Sequence, residues 1–333
     1  MTAIASSPVL LSHRPVPWKS MARATWLRDR SGLIGLSTLF GLFAFVIVLE
    51  RFTHPVRAGL GSVNTDAFTP VVFAVMLFPL VIGVFVGAPL LSREIQSGTF
   101  RFTWTQGVGR TRFLVTTLVM FLGVTAVSAC ALGALLGWYA HLFELAGVES
   151  QWQSGLFDTT PVTLVAWALF ALVLGTFIGA LVGKTVTSMA ATTLGVGGLF
   201  VASFMDLIHR LLAISPLSTS EISPFGIGLG TLNTYGGRGL GPSGSWLVRA
   251  WYTGPGGHVL GTGAAQKLLY QLASMKDSSV QPTRWLALRH YAFWVSYQPA
   301  SRFWIFQGIV GVILVGLSTL ILLGTLRILR HRA

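Results

Sequence analysis

Long apolar runs alternate with short polar segments along most of the chain. Six of these runs have roughly the 20 residues that a helix needs to cross the hydrocarbon core of a bilayer. They cover residues 32–49, 68–91, 113–138, 162–183, 185–207 and 303–326. No Asp, Glu, Lys or Arg occurs from Ala67 to Ser92 or from Phe113 to Phe143. The pattern predicts an all-α polytopic membrane protein with six transmembrane helices.

The polar segments divide the chain into four parts. Residues 1–31 are expected to form a cytoplasmic arm and residues 32–207 the first five transmembrane helices. Residues 208–302 are expected to form a large extracellular loop, or cap, and residues 303–333 the sixth helix and a cytoplasmic tail. Within the cap, Ala264 to Met275 has the pattern of a short amphipathic helix.

The distribution of Lys and Arg predicts the orientation, because short cytoplasmic loops accumulate these residues. With both termini inside, the cytoplasmic segments hold 13 of the 23 Lys and Arg residues, the two short external loops hold 2 and the cap holds 8. Loops longer than about 60 residues follow the rule weakly, so the short loops decide. We expect a multi-pass protein of the cell membrane with both termini in the cytoplasm.

A charged and aromatic segment separates the second apolar run from the third. Residues 92–112 are too long for a tight turn and long enough for a short surface helix, which makes them a candidate docking surface. The charged residues can form ion pairs, the aromatic ones can fill an apolar cleft, and a Gly-Thr step can end a helix. The residues concerned are Arg93, Glu94, Gly98, Thr99, Phe100, Arg101, Trp104, Arg110 and Arg112. The alternative interpretation is a solvated basic loop without a partner.

The basic arm ends in an amphipathic stretch from Pro17 to Arg30. Its apolar residues and its cations fall on opposite sides of a helix, a pattern typical of helices that lie in the membrane interface. The anchoring residues would be Trp18, Lys19, Arg23 and Trp26. An ordinary basic flank that only determines topology is the alternative.

Glycines recur at every fourth position in the fourth apolar run, at Gly175, Gly179 and Gly183. Small residues at this spacing allow close helix packing in membranes. Gly83 and Gly87 have the same spacing in the second run. The sequence GALVGKT that follows from Gly179 resembles a phosphate-binding loop but has one residue too few between its glycines. It does not predict a nucleotide site.

Composition and charge exclude several classes of function. Charged residues make up 10% of the chain and the mean hydropathy is +0.70, whereas soluble domains contain about 25% charged residues. The net charge of +13 lies in clusters at the ends of apolar runs, where membrane topology explains it, so no nucleic-acid partner is expected. The interiors of the runs contain no ionisable side chain apart from one cysteine, which disfavours an ion-coupled carrier.

The sequence offers no candidate for catalysis or for metal or cofactor binding. It contains neither HExxH nor GxSxG, and the single Cys130 excludes an intrachain disulfide. Small neutral side chains near or within the spans are the candidate lining of a substrate path. They are Thr116, Thr117, Ser128, Thr185, Thr187 and Ser188.

Two blocks resemble ABC transporter type-2 permeases, the transmembrane subunits of ABC transporters. The block from Ser92 to Val119, SREIQSGTFRFTWTQGVGRTRFLVTTLV, is similar to the loop that precedes their third span, with its acidic residue, Ser/Gly-Thr pair and basic-Thr-Arg step. The block from Tyr297 to Ile309, YQPASRFWIFQGI, is similar to the segment that opens the last span in actinobacterial members.

The resemblance implies the permease subunit of an ATP-driven exporter rather than an enzyme. A separate cytoplasmic ATP-binding subunit would hold ATP and Mg, this chain would bind no cofactor, and a second copy would complete a homodimer in membrane lipid. Residues 92–112 would carry a cytoplasmic coupling helix and residues 17–30 the connecting helix. The substrate is expected to be amphipathic or hydrophobic. The alternative is a membrane scaffold or lipid-processing protein that acts through its external loop.

Overall fold

The computed structural model describes residues 18–53, 68–98, 110–145, 151–152, 154–204, 215–222, 244–274 and 282–331. Within these residues, six helical segments have the length and apolar composition needed to cross a membrane. The predicted all-α polytopic architecture with six spans is confirmed.

In the described part of the chain, seven helices and one π-helical turn form the first five spans and the short helix that precedes the fourth span. These elements are α1 (Trp18–Thr53), α2 (Phe68–Ile82), a π-helical turn (Gly83–Gly87), α3 (Ala88–Ser97), α4 (Arg110–Leu145), the short α5 (Ser154–Thr159), α6 (Pro161–Val182) and α7 (Thr185–Phe204). The second span is thus made of three pieces, α2, the π-helical turn and α3.

The first helix is longer than the first apolar run. α1 contains 36 residues and continues without a break from the N-terminal arm into the membrane. The amphipathic stretch predicted as an interfacial helix is therefore the first part of the same helix that forms the first span. Ser31 and Gly32 stand at the junction, and a single glycine costs a helix only about 1 kcal/mol relative to alanine, so nothing in the sequence ends the helix there.

The cap contains a small three-stranded sheet, which the hydropathy pattern does not predict. Its elements are β1 (Ser218–Ile222), β2 (Trp246–Thr253), α8 (Thr262–Ser274), α9 (Pro282–Leu288) and β3 (Ala292–Gln298). The strand order is β1-β3-β2 and both pairings are antiparallel. α8 confirms the amphipathic helix predicted from Ala264 to Met275.

A local signal for two of the strands was present in the sequence. β2 reads WLVRAWYT and β3 reads AFWVSYQ, and such aromatic and branched residues are enriched in strands. The Gly, Ser, Thr and Pro residues around them made the cap resemble a loop. The strands pack on α8 and α9 through a cap core of Tyr252, Leu268, Leu286, Phe293 and Val295.

The cap is joined firmly to the last span, α10 (Phe303–His331). The side-chain amide of Gln298 donates to the hydroxyl of Ser215 at 2.7 Å. Arg302 donates to Gln298 Oε1 at 2.8 Å and to the carbonyl oxygen of Pro216. One turn further into α10, buried Gln307 accepts hydrogen bonds from hydroxyls of α6 and its N-cap residue and donates to a carbonyl of α5. The block from Tyr297 to Ile309 therefore links the cap to the spans.

Side-chain contacts show which helix ends lie together at each of the two ends of the molecule. At one end of the molecule, Arg28 of α1 contacts Glu94 of α3. At the other end, the Arg51 guanidinium carbon lies 4.7 Å from the ring centroid of Trp138, and Trp152 donates to the carbonyl oxygen of Gly244 at 2.7 Å. These contacts fit helices that cross in alternating directions. The Lys and Arg pattern predicts that the Arg28 end is cytoplasmic.

Candidate functional site

The predicted docking segment begins on the last turn and a half of α3. Residues Ser92 to Ser97 continue the helix of the second span, and Gly98 ends it with φ of +67°. The left-handed conformation is favourable for glycine, which has no Cβ to clash with the backbone. The sequence predicts that a Gly-Thr step ends a helix here, and the helix does end at Gly98.

Part of the predicted docking segment lies outside the described residues. This applies to Thr99, Phe100, Arg101 and Trp104, and hence to any coupling helix between residues 99 and 109. Arg110 and Arg112 lie in the first turn of α4, and Arg93 is exposed on α3. The structure therefore describes the two borders of the segment.

Glu94 is engaged in an ion pair within the protein. Its Oε1 lies 2.5 Å from Nη2 of Arg28, and the side chains of Glu94 and Arg28 are 26% and 38% exposed. Arg28 also contacts the carboxylate of its neighbour Asp29 at 3.1 Å. Because both partners of the pair reach solvent, it is expected to stabilise the fold by only about 0.2 to 1 kcal/mol. It nevertheless connects the start of α1 to the end of α3.

Gln96 connects α3 to α7. Its Oε1 accepts a hydrogen bond from the backbone N–H of Thr185 and another from the Thr185 hydroxyl, both at 2.9 Å. Thr185 is the first residue of α7, where backbone N–H groups have no partner inside the helix. Gln96 therefore caps the N-terminus of α7. The Ser92 hydroxyl, buried one turn earlier, lies 3.4 Å from the Thr185 hydroxyl.

Sequence reasoning missed both connections. Arg28 and Glu94 are 66 positions apart, and Gln96 and Thr185 are 89 positions apart. No local pattern relates residues so distant along the chain. Gln96 lies within the predicted docking segment, but its neutral side chain did not distinguish it there.

The glycines of α6 pack against the second span. A Cβ added to Gly175 would lie 2.3 Å from the carbonyl oxygen of Gly83, and one added to Gly179 would lie 2.4 Å from that of Ala88. The two helices thus meet backbone to backbone. Gly183 has an additional role, because it is the left-handed C-cap of α6 with φ of +68°, and an added Cβ there would lie 3.0 Å from the Ile95 side chain.

The π-helical turn is the part of the second span that meets α6. An added Cβ at Gly83 would lie 2.9 Å from the Ala171 carbonyl oxygen, and one at Gly87 would lie 2.6 Å from that of Leu172. Pro79, one turn before the π-helical turn, lies inside α2 and has no backbone N–H to donate. The irregular helix therefore lies at the closest approach of the two spans.

The residues predicted for the interfacial helix all lie in the first turns of α1. Arg23 is exposed and the Trp26 side chain is 47% exposed. Trp18 and Lys19 occupy the first turn of the helix. The interfacial location of this part of α1 stays a prediction.

The six candidate residues of a substrate path fall on two helices. Thr116, Thr117 and Ser128 are buried on α4, and the first and last of them are separated by roughly 18 Å along the helix at 1.5 Å per residue. The other three lie in the first turn of α7, where Thr185 is bonded to Gln96 and the Ser188 hydroxyl donates to the carbonyl oxygen of Lys184 at 2.7 Å. Thr187 is exposed. The two groups lie on separate helices, and a role for them in a substrate path stays a prediction.

Residues 61–207 match a family model described as ABC-2 membrane transporter related. The matched region includes the second to fifth spans and the docking segment, which supports an ABC-2 type permease for this part of the chain. Searches of curated proteins and of solved structures found no match.

Proposed function

We propose that the protein is the membrane-spanning permease subunit of an ATP-driven exporter and works with a separate cytoplasmic ATP-binding subunit. The observation that carries this proposal is the match of residues 61–207 to an ABC-2 membrane transporter related model. This region contains the charged segment between the second and third spans, where a partner can dock. The resemblance of Tyr297 to Ile309 supports the actinobacterial type.

A partner has to supply the energy for transport by this chain. The sequence contains no phosphate-binding loop of its own, and its spans carry no acidic or basic group in their interiors through which an ion gradient could drive transport. ATP and Mg are therefore assigned to the partner subunit. Its expected contact surface lies at the Arg28 end of the molecule and includes the exposed Arg93 and Lys184.

A second copy of the chain completes the proposed transporter. In the most apolar 18-residue stretch of the second span, and in that of the fourth, 61% of the residues are buried. The corresponding shares are 17% in the first span, 17% in the fifth and 28% in the sixth. The weakly buried spans present apolar faces to lipid or to another chain. We assign them to lipid and to a homodimer interface in the cell membrane, with both termini cytoplasmic. The substrate would be amphipathic or hydrophobic.

Co-purification tests the proposal most directly. The tagged protein, extracted from its native membrane in mild detergent, should bring down an ATP-binding subunit. Trp104→Ala should weaken this association because large aromatic side chains dominate protein interfaces. Reconstituted with that subunit in lipid vesicles, the protein should support ATP hydrolysis coupled to transport. Recovery of no ATPase would contradict the proposal and favour the scaffold or lipid-processing alternative.

A further inference from the structure

α3 is held against the hairpin of α6 and α7 at successive helical turns. The first two contacts are backbone approaches to Ala88, the first residue of α3: an added Cβ at Gly175 would lie 2.9 Å from the Ala88 backbone nitrogen, and one at Gly179 would lie 2.4 Å from its carbonyl oxygen. Since neither backbone can yield without moving its helix, these contacts leave α3 no room to approach α6 further. Next along α6, the left-handed cap residue Gly183 meets the side chain of Ile95.

The last contact in this series is made by Gln96 with α7. A single atom, Gln96 Oε1, accepts both hydrogen bonds from Thr185, and the side-chain NH2 group takes no part in them. The bond to the backbone N–H attaches Gln96 to the helix itself rather than to a mobile side chain. The end of α3 is therefore attached to the backbone of the first turn of α7.

The connection between α3 and α1 differs in kind. It is an ion pair between the partly exposed side chains of Arg28 and Glu94. Water and a docking protein can both compete for such a pair, and salt screens it. α1 can therefore separate from α3 at a lower cost than α6 can, because α6 is held by backbone packing. The bonds of Gln96 to α7 are exposed as well, but the buried Ser92 adds a second contact with Thr185 one turn earlier.

We propose that α3, α6 and α7 move as one rigid body when the docking segment is displaced, and that Gln96 is the positioning residue that carries the displacement to α7. The inference deepens the proposed function and rests on it. α7 is one of the weakly buried spans, so its movement alters a face that lipid or the second copy contacts.

The rigid body can be tested without any partner protein. Spin labels are attached at Ser97→Cys and Thr187→Cys, both exposed positions, in a Cys130→Ala background. The distance distribution between the labels should be narrow in the parent protein and in Gln96→Glu, since the carboxylate keeps an acceptor at Oε1. In Gln96→Leu, which has the bulk but no acceptor, the distribution should broaden or shift. An unchanged distribution in Gln96→Leu would overturn the inference.

Transmission to α7 is tested in vesicles with the ATP-binding subunit. With the subunit at concentrations that saturate its binding to each variant, transport per ATP hydrolysed should be several-fold lower in Gln96→Leu than in the parent. Gln96→Glu should retain the parental ratio, which separates loss of the acceptor from any change at this position. A parental ratio in Gln96→Leu would overturn the transmission role. Failure of the parent to bind any ATPase would contradict the proposed function and, with it, the role of Gln96 in transmission. The spin-label distances would still decide whether α3, α6 and α7 form a rigid body.

Discussion

Glu94 takes part in an internal contact and lies at the edge of the predicted docking surface. The sequence pointed to it as a charge for a partner protein, whereas the structure pairs it with Arg28. A partner that used the same carboxylate would have to displace Arg28. The internal pair therefore gives Glu94 a role in holding α1 beside α3, and a substitution here acts on that arrangement first.

A charge swap separates the internal role of Glu94 from direct docking. Glu94→Arg places two cations together and should weaken association with the ATP-binding subunit by roughly 1 kcal/mol, because it breaks an exposed ion pair that holds α1 beside α3. Adding Arg28→Glu restores an ion pair of opposite polarity and should recover most of the association. Affinity measured by titrating the subunit onto immobilised permease provides the comparison. Association that stays weak in the swapped protein would show that Glu94 contacts the partner directly.

At the scale of elements, the second and fourth spans meet backbone to backbone at the level of the π-helical turn. Gly83 and Gly87 on one side and Gly175 and Gly179 on the other bring backbone against backbone. Packing between closely approaching backbones is a main source of helix association in a bilayer, where no hydrophobic force favours contact between helices over contact with lipid. In each of these two spans, 61% of the residues in the most apolar stretch are buried. This burial agrees with a position inside the bundle.

Adding one methyl group at this contact should destabilise the protein. Gly179→Ala places a Cβ 2.4 Å from the backbone oxygen of Ala88, so the helices must separate, at a cost of about 1 to 3 kcal/mol typical of overpacking. Thermal unfolding in detergent should show a lower midpoint. Gly137→Ala is the matched control, because an added Cβ there meets nothing within 4 Å. The midpoint of the control should stay the same or rise slightly, since alanine favours helix. Equal midpoints for the two variants would contradict the packing argument.

At the scale of the whole molecule, a membrane-spanning bundle carries a small folded cap at the end opposite the Arg28–Glu94 pair. The cap meets the bundle at Trp152, which stacks on Trp246 with ring centroids 5.8 Å apart and packs edge-on against Phe303. Gln307 lies buried below this aromatic cluster and connects α10 to α5 and to the start of α6. The cap and the bundle therefore share one continuous contact region.

The predicted orientation can be tested by labelling single cysteines in intact cells. In a Cys130→Ala background, cysteines at His258 and Tyr270, exposed positions of the cap, should react with a membrane-impermeant maleimide. A cysteine at Ser97, exposed at the opposite end, should react only after the cells are opened. The reason is the ratio of 13 to 2 in Lys and Arg between the predicted inner segments and the short outer loops. Labelling of Ser97→Cys but not of the cap positions in intact cells would reverse the topology.

The sequence by itself determined the features that depend on local composition. The six spans could be predicted because the bilayer interior offers no water to backbone polar groups, so these groups must be bonded within the protein, and an apolar run of about 20 residues meets this requirement as a helix. The end of α3 at Gly98 and the amphipathic helix α8 follow equally local rules. The glycine spacing of α6 indicated a close contact, although it did not indicate the neighbour.

The tertiary structure decided which distant residues meet. The π-helical turn and α3 of the second span meet the α6 glycines, Arg28 pairs with Glu94, and Gln96 lies at the start of α7. The tertiary structure also arranged β3 between β1 and β2, an order that differs from their order along the chain. Each of these outcomes depends on packing between segments far apart in sequence. Hydropathy and spacing report only the local preference of each segment, so they carry no information about such partners.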